Sequence, residues 1–167
     1  MKKITRSVHI KAPRSAVWAA LADFGGVSRM SKGVLASRLT SETGTGVGAT
    51  RHCDLADMGA TVEERITAWE EGEAMDIDIY ESTKLPMVTT MLAEFRLADE
   101  DEGTRLTAHM NYALGLGPIG WFMDLVMMNG MMNKNWTGFL AGIRHHVETG
   151  EELDANTRVD TSGIEVA

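Results

Sequence analysis

Between residues 33 and 113 six strand-like segments follow one another, and the pieces between them are short: SETGTG, ADMG, EEGE, STKLP and ADEDEG, each rich in turn-forming residues. The segments cover 33–41, 47–55, 60–69, 74–81, 87–97 and 104–113. Parallel neighbours need a crossover of a dozen or more residues, so links this short dictate antiparallel pairing. A further strand precedes them. From Lys3 to Ala12 polar and apolar residues alternate, with Ile4, Val8 and Ile10 in one phase. Pro13 then stands where a helix would begin, its fixed φ suiting the first helical position, and Val17, Trp18 and Leu21 follow at helical spacing. The segment DFGGVSRMSKG bends the chain through a glycine pair and leaves room for a second short helix.

After this seventh strand, Gly117 and Pro118 open a last helix that meets no further proline before about Val147. At 1.5 Å per residue it would be roughly 45 Å long, and a helix of that length needs a broad surface to lie against. Its inward stripe reads Phe122, Val126, Asn129, Asn133, Trp136, Leu140, Ile143 and Val147, apolar at both ends and amide in the middle. Packed tightly on a sheet, Asn129 and Asn133 would need buried partners or cost a few kcal/mol each, by the usual penalty of about 1–3 kcal/mol for an unpaired polar group. A gap between helix and sheet removes that difficulty. Met128 and Met132 flank the asparagines and are assigned to such a gap, where flexible thioethers adapt to an apolar occupant. Met123 and Met127 point away from the stripe and serve equally well as ordinary core. Gly130 weakens the helix, which predicts close packing or a slight kink there.

The chain has 167 residues, one domain's worth of material, and no uncharged apolar run of about 18 residues that could insert stably in a bilayer. Its start, MKKITRSVHIKAP, lacks the continuous apolar stretch of a secretory signal, and the single cysteine, Cys53, cannot form an internal disulfide; both predict a cytoplasmic protein. Residues 148 to 167 hold six acids against one base, so −5 of the net −8 sits there and the body carries −3. No basic stripe offers the footprint that nucleic acid requires. By composition residues 150–167 form a weakly held acidic tail beyond a domain of residues 1–149. Scattered histidines and the absence of zinc spacing, GxSxG, phosphate-loop and dinucleotide motifs predict neither metal nor cofactor. The residues do not set the oligomeric state, and a homodimer is compatible with them.

Chemistry points to the third and fourth strands. If ADMG is a tight hairpin, Leu55 faces Ala60, Cys53 faces Val62, Arg51 faces Glu64 and Ala49 faces Ile66, all on one face of the sheet. That face is apolar except for one Arg–Glu pair. Two readings follow: a paired anchor inside a cavity, or a solvated ion pair worth roughly 0–1 kcal/mol. A carboxylate beside a guanidinium stays ionised, which favours anchoring over general-acid work. Cys53 reads as a small buried thiol. His9 and His109 fall on the opposite phase and are expected in solvent, while His145 and His146 lie where imidazolium suits a helix C-terminus.

The segments SVHIKAPRSAVWAALADF, GVGATRHC, ATVEERITAW and GTRLTAHMNY, with the long helix last, resemble the START-related, Bet v 1-like helix-grip superfamily in its bacterial polyketide cyclase/dehydrase branch. The resemblance spans residues 4 to about 147. It implies an α+β helix-grip fold: a seven-stranded antiparallel sheet curved around the C-terminal helix, two short helices after the first strand, and a cavity between sheet and helix. The plant abscisic-acid receptors and the onion lachrymatory-factor synthase, in the same superfamily, have a cavity Arg and Glu on the corresponding strands, which GATRHC and EERI match. The expected ligand site therefore comprises Arg51 and Glu64, Ile66 and Ile77 on the neighbouring wall, Met110 and Tyr112 on the seventh strand, and Met128, Asn129, Met132, Asn133 and Trp136 on the helix. STKLP and ADMG resemble loops at the pocket mouth.

The leading expectation is a protein that binds or carries a small hydrophobic molecule: a lipid, isoprenoid, aromatic or polyketide-like compound. The alternative is a cyclase, dehydratase or isomerase in which Glu64 moves a proton and Arg51 stabilises negative charge. A third reading has the Met-rich helix and acidic tail meet a protein partner. One scaffold hosts all three, so the fold does not choose.

Overall fold

The alternating segments pair in chain order, and the result is one curved antiparallel sheet. The computed structural model describes residues 1–57, 59–84, 88–115, 117–118 and 129–166. Its strands are β1 (Lys2–Ile10), β2 (Val34–Leu39), β3 (Thr50–Leu55), β4 (Thr61–Glu70), β5 (Ala74–Ser82), β6 (Val88–Glu100), β7 (Gly103–Leu114) and β8 (Ile164–Val166). The order across the sheet is β2-β3-β4-β5-β6-β7-β1-β8, so every sequential pair from β2 to β7 is a hairpin and β1 closes onto β7. The turns have the expected chemistry: Gly72 supplies a φ of 75° between β4 and β5. Register shifts interrupt the ladder between Val34 and Ala36, between Glu63 and Glu64, between Ile66 and Ala68, and between Val88 and Thr90. Such bulges bend strands, and they curve this sheet into a trough.

Helix α1 (Arg14–Ala22) and a 3-10 helix (Phe24–Arg29) follow β1. Pro13 is the N-cap of α1, one position earlier than the sequence suggests. Val17, Trp18 and Leu21 are its buried face. Trp18 meets Trp69 edge-on at 4.8 Å between ring centroids, and Glu71 accepts from both indole nitrogens at 2.8 Å.

The long helix α2 (Asn129–Thr149) fills the trough, and residues 117–118 ahead of it are also helical. Phe122, Met123, Val126, Met127 and Met128 lie outside the described residues. The C-terminal half of α2 is packed hard on the sheet, with Leu140, Ala141 and Ile143 fully buried. Gly142 lets the helix approach the carbonyl of Met30, where an added Cβ would collide. Gly130, by contrast, has no described atom within 4 Å of where a Cβ would stand.

Two expectations change. Asn133 has a buried partner after all, and through it Asn129 is bonded too: Arg6, on the inner face of β1 in phase with Ile4 and Val8 and only 9% exposed. Its Nη2 donates to Asn133 Oδ1 and its Nε to Thr137 Oγ1 at 3.2 Å, while Asn133 Nδ2 donates to Asn129 Oδ1 at 2.7 Å. An arginine under the helix, not a gap, satisfies the amides.

The second change concerns the tail, which is tied down along its length. The Leu153 amide donates to the Arg29 carbonyl at 2.8 Å, Lys32 Nζ to the Thr157 carbonyl at 2.8 Å, and Arg144 to the carbonyls of Ser162 and Asp160. It ends as β8, an eighth strand antiparallel to β1, with Glu165 bound to Arg105 at 2.8 Å. Backbone groups, blind to composition, make most of these bonds.

Candidate functional site

Where the first half of α2 lifts off the sheet, a cavity of about 450 Å³ opens. Its floor is the inner face of β3 to β7, including Val62, Ile77, Ile79, Met91, Phe95 and Met110; its roof includes Met132, Trp136 and Phe139 of α2. Trp136 is fixed by donating Nε1 to the Ala108 carbonyl at 3.2 Å, and it stacks on Phe139 with centroids 5.4 Å apart. The polar part of the lining is Ser31 and Lys32 before β2, Asp57 in the β3–β4 turn, and Lys134 and Asn135 on α2, and Val159 of the tail borders the cavity as well. Asn135 Nδ2 donates to Asp57 Oδ2 at 3.3 Å.

Two charged side chains reach the inner wall. The β3–β4 register is the expected one, with Arg51 opposite Glu64 and Cys53 opposite Val62. Both side chains border the cavity and are 7% and 13% exposed. The Arg51 Nε donates to Glu64 Oε2, and its Nη1 donates to the Phe24 carbonyl at 2.7 Å. The guanidinium also lies 4.1 Å from the centroid of the Phe24 ring, a cation–π stack. The 3-10 helix thus clamps Arg51 from behind. The bulge beside Glu64 leaves Tyr80 unpaired on β5, so that Glu64 lies opposite Ile79. The Cys53 thiol donates to Glu64 Oε2 at 3.5 Å; burial, with the Glu64 charge adding, pushes its pKa up to about 12. It is a poor nucleophile.

Of the residues singled out from sequence, Arg51, Glu64, Ile77, Met110, Met132 and Trp136 border one cavity. Ile66 and Tyr112 are buried in the core beside it and do not border it. Asn133 is turned to Arg6 and Asn129 accepts from Asn133, and Met128 lies outside the described residues. Of the loops expected at the mouth, Asp57 of ADMG borders the cavity; of STKLP, Leu85 and Pro86 are outside the described residues and Ser82, Thr83 and Lys84 do not border it. Sequence reading missed Phe24, Phe95 and Phe139, although the last follows Trp136 at a spacing of three on one helix face. His9 and His109 are half-buried, not solvated: His9 Nδ1 contacts Glu100 at 2.5 Å and His109 Nδ1 shares a hydrogen bond with Thr5 at 2.9 Å. Among the described residues no cluster of His, Cys, Asp or Glu could hold a metal ion, and no helix is long and apolar enough to cross a membrane.

A hollow between a curved antiparallel sheet and a C-terminal helix is the arrangement the resemblance implies, and comparison with known proteins agrees. The profile of the family described as polyketide cyclase/dehydrase and lipid transport matches residues 1–148. The chain belongs to this family. Among solved structures it is similar to the ZhuI aromatase/cyclase of Streptomyces sp. R1128, with a TM-score of 0.75 and 16% identity over 88% of this chain and 93% of that one. The protein TTHA0849 of Thermus thermophilus aligns with a TM-score of 0.72 and 19% identity over 87% and 97%, and Ara h 8.0201 with 0.67 and 14% over 87% and 97%. At such identities the likeness concerns the fold. No curated protein matches the sequence. Fold and family are therefore those of a small-molecule-binding cavity, in an α+β helix-grip frame.

Proposed function

We propose that the protein binds or carries a small hydrophobic molecule in the cavity beneath α2, with Arg51 and Glu64 orienting its polar end. The observation that supports this reading best is the 450 Å³ hollow itself, walled by aliphatic, aromatic and thioether side chains around a single inner ion pair. Binding pockets of about 300–1,000 Å³ with a few placed polar groups have this character. Packing alone would close such a space, since interiors are filled to crystal-like density. Native mass spectrometry of freshly purified protein, with uptake of an apolar fluorescent dye, tests it: a co-purifying mass or saturable dye binding is expected. Repeated absence of both, in folded protein, would refute the carrier.

A second reading, a cyclase, dehydratase or isomerase, is favoured by one feature: a carboxylate on the wall beside a fixed guanidinium, suited to moving a proton and stabilising an oxyanion. Here Glu64 and Arg51 would be the catalytic pair. Glu64→Gln keeps the shape and removes the base. Turnover of a substrate, once one is found, should then fall by at least about 100-fold, the usual share of general base catalysis, with binding retained; unchanged turnover would remove Glu64 from that role.

A further inference from the structure

The ion pair on the cavity wall is lopsided. Arg51 is held by the protein through Nε to Glu64, Nη1 to the Phe24 carbonyl and its plane on the Phe24 ring, while its Nη2 donates to none of the described residues. Glu64 Oε2 is committed as well, accepting from Arg51 Nε and from the Cys53 thiol, which keeps its hydrogen because its pKa stands near 12. Glu64 Oε1 accepts no hydrogen bond from the described residues, and the side chain borders the cavity among Val62, Ile77 and Ile79, none of which can donate. A molecule that fills the hollow displaces solvent from Oε1 and leaves a buried acceptor without a donor, unless the molecule brings one.

Elementary chemistry narrows the group. A carboxylate would set charge against charge at Glu64, and an ether or ketone can only accept. An ammonium would face the Arg51 guanidinium. A neutral hydroxyl donates to Oε1 and still presents lone pairs to the cation. Size narrows the body: a hollow of about 450 Å³ lies toward the lower end of the range for small-molecule pockets, about 300–1,000 Å³, and suits a compact molecule of a few rings or a medium-length chain.

We propose that the cavity selects compact apolar molecules bearing one neutral hydroxyl, phenolic or alcoholic, which donates to Glu64 Oε1. This rests on the cavity being a ligand site, as proposed above. Isothermal titration of 2-naphthol, 2-methoxynaphthalene and 2-naphthoate against wild-type protein tests it, with an apolar dye as control. Naphthol should bind at least about tenfold tighter than its methyl ether, the usual effect of stranding one buried acceptor, and naphthoate should bind weakest. In Glu64→Gln the side-chain amide can donate to the ether oxygen, so the gap should shrink to about threefold or less by the same reckoning. Equal binding of naphthol and ether, or preference for naphthoate, overturns the proposal. Should the dye bind and none of the three do so, hydroxyl selection is wrong while the cavity reading stands; should the dye fail too, the cavity reading falls first. If Glu64→Gln does not fold, the wild-type ordering decides alone.

Discussion

Arg51 has two obligations, to Glu64 in front and to Phe24 behind, whereas Glu64 faces open volume on one side. Their truncations should therefore differ. Arg51→Ala leaves a largely buried carboxylate and a backbone carbonyl without their donor, and is expected to cost roughly 3–5 kcal/mol, the usual result of breaking a buried pair. Glu64→Gln retains a neutral acceptor for Arg51 and is expected to cost about 1 kcal/mol. Urea denaturation of both variants checks the ordering; equal losses would mean that the pair is effectively solvated. Two histidines make a second residue-level prediction, with opposite signs. On the outer face His52 is held above the ordinary imidazole value chiefly by its hydrogen bond to Glu63, with Asp54 adding. His109 is pulled below it chiefly by burial, with Lys3 adding. The His52 contribution is complete below about pH 6.5 and fades as pH rises through its raised value; His109 costs nothing above about pH 6.5 and subtracts stability as pH falls toward its lowered one. Denaturation midpoints followed from pH 5 to 8.5 should lose their alkaline-side decline in His52→Gln and part of their acid-side decline in His109→Gln. Unaltered profiles would detach the two imidazoles from folding.

At the scale of elements, α2 is two different helices end to end. Its C-terminal half is core, its first half a roof, and its glycines record the change. Gly142 sits against the Met30 carbonyl, so Gly142→Ala should destabilise by about 1–3 kcal/mol, the range of an overpacking clash against backbone. Gly138 borders the cavity with no described atom within 4 Å of a built Cβ, so Gly138→Ala should gain up to about 1 kcal/mol of helix propensity. Thermal melts of the two variants should move in opposite directions, and a common direction would contradict the division of α2. The strands and their hairpins were legible because period-two patterning and turn chemistry are local, and the Arg51–Glu64 register followed from the hairpin. Arg6 was not. Its phase with Ile4 and Val8 places it on the inner face, yet only the fold brings Thr137 and Asn133 over it. Asn129 and Asn133 were singled out as anomalies on an apolar stripe and explained by a gap for want of Arg6. The bulge next to Glu64 left no mark in the sequence, since it depends on how β4 and β5 are paired.

For the molecule as a whole, the acidic tail joins edge and cavity. β8 shields β1, which would otherwise be an open strand edge, and on its way there the chain contributes Val159 to the cavity lining. Composition predicted a loose extension because six acids and few large apolar groups cannot form a core of their own; backbone carbonyls offered to Lys32 and Arg144, and a three-residue ladder, hold it instead. Deleting residues 151–167 separates these two effects. Losing the ladder and the bonds to Arg29, Lys32 and Arg144 should lower stability by roughly 2 kcal/mol or more, at about 1 kcal/mol for each well-formed hydrogen bond, while far-ultraviolet circular dichroism stays close to that of the full chain. The uncovered β1 edge should promote self-association on size-exclusion chromatography, as unpaired edges do. Release of a bound apolar dye should quicken in stopped-flow measurements, because the cavity loses Val159 from its lining. Faster release with an unchanged monomer peak would assign the tail to the cavity alone, self-association with unchanged release would assign it to the edge alone, and a truncated chain matching the full one in all three respects would show that neither contact matters in solution.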